Sequence, residues 1–227
     1  MTRRLLLFDL DGTLIEWGDP VHLDAIDKSA HQLFPQSAHV SVHQIEFDGR
    51  VQRRIVRDLL AAAGLDGSIS SEELELTFAL AAELYARHWD GHSVAPEPLP
   101  GARSLLERLS ADDRFALAII TGTARNIAEV KLRRHGLSRF FPTGAFGDEV
   151  DDRVGLVRLG IARAEQHYGT TFSPGTIATL GDTPHDIACG HACGITGLGM
   201  ATGQHSVEIL TAAGPTRSCR ISPTPMR

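Results

Sequence analysis

The chain has 227 residues, 42% of them hydrophobic and 22% charged, with 22 Lys and Arg against 28 Asp and Glu for a net charge of −6. That length buries a core large enough for one domain, or for one domain carrying a smaller insertion. No basic stretch able to track a phosphate backbone is present, which excludes nucleic acid as the expected partner, and no apolar run approaches the length of a bilayer span. The short apolar run after Arg3-Arg4 is broken at once by Asp9 and Asp11, so it does not read as an export signal, and the cytoplasm is the expected compartment. Cys189, Cys193 and Cys219 are odd in number and argue against a disulfide framework. Cys189 and Cys193 share one helix face. Packing explains them, with a zinc site completed by His185 and His191 as the alternative.

In chain order, Arg4 to Phe8 predicts a buried strand running into Asp-Leu-Asp-Gly-Thr. From about Val21 to Trp89 the periodicity is helical. Ile45, Ile55, Val56, Leu59 and Leu60 make one stripe, and Leu74, Phe78, Leu80, Ala81, Leu84 and Tyr85 a second. Ser70-Ser71-Glu72-Glu73 before the second reads as an N-cap with acidic residues in the first turn. Pro96, Pro98 and Pro100-Gly101 mark a boundary. Beyond it helix and strand alternate: a helix over 102–109, a strand over 115–120, a helix over 124–135, a short strand before Phe146-Gly147-Asp148, a helix over 155–168, a strand over 176–180, a helix over 186–193 and a strand over 195–200. A last helix is expected near Ser206 to Leu210. The segment from Pro215 to Arg227 has too little apolar content for a further strand and helix.

Strands alternating with helices indicate an α/β fold, a Rossmann-like parallel sheet covered on both faces, here with an inserted α-helical cap. The expected division is a discontinuous core of 1–16 and 97–227 and a cap of 17–96. Ligands of such sheets bind beyond the carboxyl ends of the strands. Asp9, Asp11, Thr121, Gly122 and Asp182 all follow strand ends, so they are expected to converge on one crevice beneath the cap. Asp9 and Asp11, two apart on an extended chain, point the same way and repel. A hard divalent cation relieves that repulsion, and Mg²⁺ takes carboxylates together with phosphate and water. Asp182 offers a further carboxylate, and Asp186, one helical turn on, can hold a metal-bound water. Gly12 and Thr13 suit a tight turn that brings backbone N–H groups to a phosphate.

Asp9-Leu10-Asp11-Gly12-Thr13-Leu14 resembles the first motif of the haloacid dehalogenase-like superfamily, in its phosphatase branch. Ile119-Ile120-Thr121-Gly122 resembles the second motif, and Gly181-Asp182-Thr183-Pro184-His185-Asp186 the fourth. They stand in the family's order, each after an apolar run. The resemblance implies that Asp9 is a nucleophile forming an aspartyl-phosphate and that Asp11 is the general acid and base. It implies that Thr121 and the Gly122 N–H bind the phosphoryl group, and that Asp9, the Asp11 backbone carbonyl, Asp182 and Asp186 serve Mg²⁺. Dehalogenase members lack an acid at the Asp11 position, because a halide leaving group needs no proton.

The expected third-motif cation departs from the family's usual lysine, since no lysine follows Lys131. Arg153 resembles the Asp-Arg variant, with Arg158 and Arg163 as competitors and a surface ion pair to Asp151 or Asp152 as the alternative. Arginine binds phosphate bidentately where lysine acts as a point charge. The loop Glu46 to Val51 resembles the family's cap specificity loop, and its Gly49-Arg50-Val51-Gln52 lacks the hydroxyl and carboxylate expected there. Arg50 is the candidate for binding an acidic group on the substrate, with a solvated arginine as the alternative. His22, His31, His39 and His43 read as surface or cap residues without metal-site spacing, His185 as a crevice-lining residue, and Trp17 and Trp89 as packing where the two parts join. The resemblance thus implies a Mg²⁺-dependent hydrolase of a small phosphorylated metabolite, similar to phosphoglycolate phosphatase. A phosphomutase and a catalytically silent small-molecule-binding protein are the alternatives. Nothing in the sequence sets the oligomeric state.

Overall fold

Arg4–Phe8 forms β1, the middle strand of a five-stranded sheet with the order β3-β2-β1-β4-β5, in the computed structural model of the chain, which describes residues 3–47, 49–65, 67–90 and 96–214. The other strands are β2 (Phe115–Thr121), β3 (Gly144–Phe146), β4 (Ile177–Gly181) and β5 (Thr196–Gly199), and all pairings are parallel. Parallel sheets need cover on both faces, so their strands read as unbroken apolar runs. β2 shows this, with Ala116 to Thr121 all buried. Alternation then divides β1 between two cores. Leu5 and Leu7 pack with Leu156, Val157 and Ala164 on one face, and Phe8 with Leu106, Ala128 and Leu132 on the other.

The covering helices are α4 (Ala102–Ser110), α5 (Arg125–Arg134), α6 (Arg153–Tyr168), α7 (Pro184–Ala192) and α8 (Val207–Ala212). The expected elements are present, with ends moved by a residue or two. The differences at the helix starts have capping causes. Asp152 caps α6 by accepting from Gly155 N at 2.7 Å, and Thr183 with Asp186 forms a capping box on α7, so both helices start before the sequence expectation. No described helix is long and apolar enough to cross a membrane. The expectation for Pro215 to Arg227, Cys219 included, lies outside the described residues.

Between β1 and α4 the chain forms α1 (Pro20–Leu33), α2 (Gln52–Ala62) and α3 (Ser71–Trp89). Asp19 caps α1, and Ser70 with Glu73 forms the capping box expected at α3. The three helices close on their own core, including Ile26, Ala30, Val56, Leu59, Leu74 and Phe78. Ile45, expected in the α2 stripe, instead follows a 3₁₀ turn and packs at that core's edge. Leu99 N donates to Leu14 O at 2.9 Å, so the segment leaves and rejoins the sheet at neighbouring points. Trp17 stacks on Phe47 of the inserted segment, and Trp89 lies against the Arg134 guanidinium of α5 at 4.0 Å.

Candidate active site

The carboxyl ends of β1, β2 and β4 bring the predicted residues together. Asp9 follows β1 directly, and its N–H donates to Leu180 O at 2.8 Å. Thr121 ends β2, Gly122 follows, and Asp182 follows β4. Asp9, Asp182 and Asp186 are all buried, and each offers an oxygen within 4.8 Å of the others. Hydroxyl and backbone donors hold two of them. Asp182 accepts from Thr13 Oγ1 at 3.0 Å, and one Asp186 oxygen accepts from Thr183 N at 3.1 Å and Thr183 Oγ1 at 2.7 Å. Gly12, at φ 85°, is needed here, because a Cβ would stand 2.4 Å from an Asp182 oxygen.

Arg153, the first residue of α6, meets this cluster. Its Nη1 donates to the second Asp186 oxygen and lies 3.8 Å from Asp9 Oδ1, and its Nε donates to Gly49 O at 2.9 Å. The competitors lie elsewhere: Arg163 pairs with Glu149 at 2.6 Å, and Arg158 is exposed beside Cys193. Arg153 is thus paired with Asp186 and not with Asp151 or Asp152.

The electrostatics follow from burial. Burial pushes the Asp9 carboxyl well above the usual range and Asp186 adds to it, while Arg153 draws it back in part. Burial and then Asp186 push Asp182 up to about 7. Burial opposes the charge on Arg153, but Asp186 and Asp9 outweigh it and hold the guanidinium protonated. Three buried carboxylates against one guanidinium leave negative charge uncompensated. An all-oxygen donor set of this charge fits a hard cation such as Mg²⁺, and lacks the sulfur and imidazole ligands that zinc favours. Among the described residues no Cys–His cluster forms: Cys189 Sγ contacts Asp186 O and Cys193 Sγ contacts Val154 O.

Asp11 is not part of that cluster, and its oxygens accept from Lys131 Nζ at 2.6 Å and Thr123 Oγ1 at 2.8 Å. Burial raises the Asp11 carboxyl, but Lys131, His22 and the hydrogen bonds from Lys131 and Thr123 outweigh it, and the net direction is down. Lys131 is 1% exposed and also donates to His22 Nδ1 at 3.2 Å. Sequence reasoning missed it. The available signal was its place on α5, where it continues the buried stripe of Ile127, Ala128 and Leu132. His22, expected as a surface or cap residue, lies on α1 of the inserted segment and is half-buried: burial and then Lys131 lower its pKa to about 4, so the ring is neutral.

The inserted segment completes the walls. Gln52 N donates to Gly122 O at 2.7 Å and Arg53 N to Gly147 O at 2.8 Å. A Cβ on Gly122 would stand 2.5 Å from Arg50 O, so glycine there permits the close approach. The Arg50 guanidinium is shared between Glu46 and Asp58, each at 2.5 Å, while the residue borders the cavity. His185 lies against Gly49, whose added Cβ would meet its ring at 2.1 Å. The cavity has a volume of about 100 Å³ and is bordered by Asp9, Asp11, Thr121, Gly122, Lys131 and Arg153, with Trp17 and Phe47 on the inserted side.

The chain is 26% identical over 218 residues to phosphoglycolate phosphatase 1 of Pseudomonas aeruginosa, covering 94% of this chain and 75% of the relative. It is 24% identical over 223 residues to a phosphoglycolate phosphatase of Vibrio vulnificus, covering 93% and 90%. In fold it is similar to a hydrolase from Pseudomonas syringae, with a TM-score of 0.64, 20% identity and coverage of 97% and 94%. It is likewise similar to a β-phosphoglucomutase from Clostridium difficile, with a TM-score of 0.65, 17% identity and coverage of 93% and 88%. The family of haloacid dehalogenase-like hydrolases matches residues 4–194, most of the chain and the ends of β1, β2 and β4 that form this site, and the protein belongs to that family.

Proposed function

We propose that the protein is a Mg²⁺-dependent phosphatase that hydrolyses a small phosphomonoester through an aspartyl-phosphate on Asp9. The observation that carries this reading is the buried set of Asp9, Asp182 and Asp186 facing Arg153, with Asp11 across the same small cavity. Asp9, the Asp11 carbonyl, Asp182 and Asp186 hold the cation, which when bound spreads the negative charge of the transferring phosphoryl group. Thr121, the Gly122 N–H and Arg153 bind the phosphoryl oxygens. An Asp9 oxygen attacks phosphorus as the bond to the leaving oxygen breaks, and Asp11 delivers a proton to that oxygen. Water then attacks the aspartyl-phosphate, Asp11 takes its proton, and phosphate leaves with Asp9 restored. Asp11 stands here as a carboxylate paired with Lys131, the state required of the base. For the acid step it must take up a proton, from solvent or from the arriving substrate, while Lys131 stays paired with it as the ammonium.

Residues 17–96 act as the cap over a core of 1–16 and 97–227. A cavity with Lys131 and Arg153 in its wall suits a small anionic substrate. The relatives named as phosphoglycolate phosphatases supply the leading candidate. Arg50 selects an acidic group on that substrate by releasing one of its two carboxylate partners.

The test is product analysis over a panel of small phosphorylated metabolites with Mg²⁺ and with EDTA. Metal-dependent release of free phosphate, highest for phosphoglycolate or another short acidic phosphomonoester, is the expected result. An isomerised sugar phosphate without free phosphate identifies a phosphomutase instead, and no turnover by folded protein identifies a silent binding protein.

A further inference from the structure

Gln52 opens α2 and docks the inserted segment on the strand ends with both its backbone and its side chain. Its N–H donates to Gly122 O at 2.7 Å. Its Oε1 accepts from the Ala124 N–H at 2.8 Å and bonds His22 Nε2 at 3.0 Å. The Ala124 N–H can only donate, so it fixes which end of the Gln52 amide is oxygen. The Lys131 ammonium also can only donate, so His22 Nδ1, at 3.2 Å, accepts from it, and Nε2 carries the ring proton toward Gln52. The bonds therefore run in one direction, from Lys131 through His22 to Gln52. Both lone pairs of Oε1 are used and the amide cannot turn without losing them.

The other end of this fixed amide is unfilled. Gln52 is 1% exposed and borders the cavity, and its Nε2, with two N–H donors, has no hydrogen-bond partner among the described residues. A buried donor left unpaired is costly, and the cost is removed when a ligand brings an acceptor. The position of the amide indicates which part of a ligand that is. It is linked to Asp11 by two routes, through His22 and Lys131 and through Ala124 next to Thr123, whose hydroxyl donates to Asp11 Oδ2 at 2.8 Å. Asp11 is the group that serves the leaving oxygen.

We propose that Gln52 is a specificity-determining residue whose Nε2 donates to an oxygen in the alcohol half of the substrate, one carbon from the ester carbon. A hydroxyl, carbonyl or carboxylate at that place qualifies, and an alkyl group does not. The inference rests on the phosphatase reading and adds to it the rule by which the leaving group is chosen.

The experiment compares 2-hydroxyethyl phosphate with ethyl phosphate, which have the same charge and differ by one oxygen. Values of kcat and KM are measured with Mg²⁺ for the wild type, Gln52→Met and Gln52→Glu, each shown to be folded by circular dichroism. The wild type is expected to favour the hydroxylated substrate about tenfold in kcat/KM, the size of one hydrogen bond, mainly through KM. Gln52→Met removes both ends of the amide. Gln52→Glu keeps the acceptor for Ala124 and His22, loses the donor and adds a negative charge. In both, the preference is expected to fall to within about twofold, because repulsion or a loosened insertion affects the two substrates alike. A preference that persists in both variants, or a wild type that never had one, overturns the inference and leaves the phosphatase reading standing. A folded wild type that releases phosphate from neither substrate, nor from any member of the metabolite panel, overturns the reading and this inference with it.

Discussion

Lys131 Nζ lies 2.6 Å from Asp11 Oδ1, with only 2% of the lysine side chain exposed. A buried ammonium is retained when a carboxylate and further acceptors replace its water, and here Asp11 and His22 do so. Lys131→Met keeps the volume but leaves the Asp11 carboxylate without its cation. It should lower stability by about 3 kcal/mol in urea denaturation. Combining it with Asp11→Asn should cost less than the sum of the two single changes, because the pair is then removed together. Additive losses would mean that the two residues are not energetically coupled.

The carboxylate cluster predicts how stability depends on pH. The Asp182 carboxyl is pushed up to about 7 by burial and by Asp186, so the folded state binds this proton more tightly than the unfolded state does. A group raised in this way stabilises the fold below its unfolded value of about 3.9, and that contribution is lost as pH rises toward about 7. Asp9 is shifted in the same direction, by burial first. In EDTA the melting temperature should therefore fall between about pH 4 and about pH 7. Mg²⁺ should restore much of the loss at the upper end and little at the lower. Asp182→Asn should flatten the EDTA curve. Thermal denaturation across pH, with and without Mg²⁺, makes the comparison.

Arg153 and Arg158 lie on one helix, yet only Arg153 contacts the carboxylates. Arg153→Ala should lower kcat/KM roughly a hundredfold, the usual effect of losing one donor to a transferring oxyanion, while Arg158→Ala stays within about twofold of the wild type. Steady-state kinetics on any substrate the protein hydrolyses decides this, and equal effects would contradict the role given to Arg153.

Gly122 tests the fit of the inserted segment against the strand ends. A methyl group there would stand 2.5 Å from Arg50 O, where backbone has no room to yield locally. Gly122→Ala should displace the Arg50 to Gln52 stretch and lower kcat/KM about a hundredfold, with stability reduced by only about 1–3 kcal/mol. Kinetics alongside urea denaturation separate the two effects.

The parallel sheet was legible because each strand is a short apolar run ending in a turn or polar residue, a pattern few other folds share. Asp9, Thr121 and Asp182 were legible for the same reason, since strand ends are where such sheets place ligands. Lys131, His22 and Gln52 were not. Their positions depend on how the inserted helices sit over the sheet, and no local periodicity records that contact. Lys131 carried the one usable trace, a charge within a stripe of buried apolar residues. The start of α2 was obscured for a related reason: Ile45 continues the apolar spacing but lies just after a 3₁₀ turn that precedes α2.

The central claim is that Asp9 carries the phosphoryl group. The most direct measurement is to quench the protein in acid during turnover of a substrate with Mg²⁺ and locate the added phosphoryl group by peptide mass mapping. The account predicts the group on Asp9 in the wild type, and neither label nor turnover in a folded Asp9→Asn variant. Turnover that persists in Asp9→Asn, or a phosphoryl group found on another residue, would contradict it.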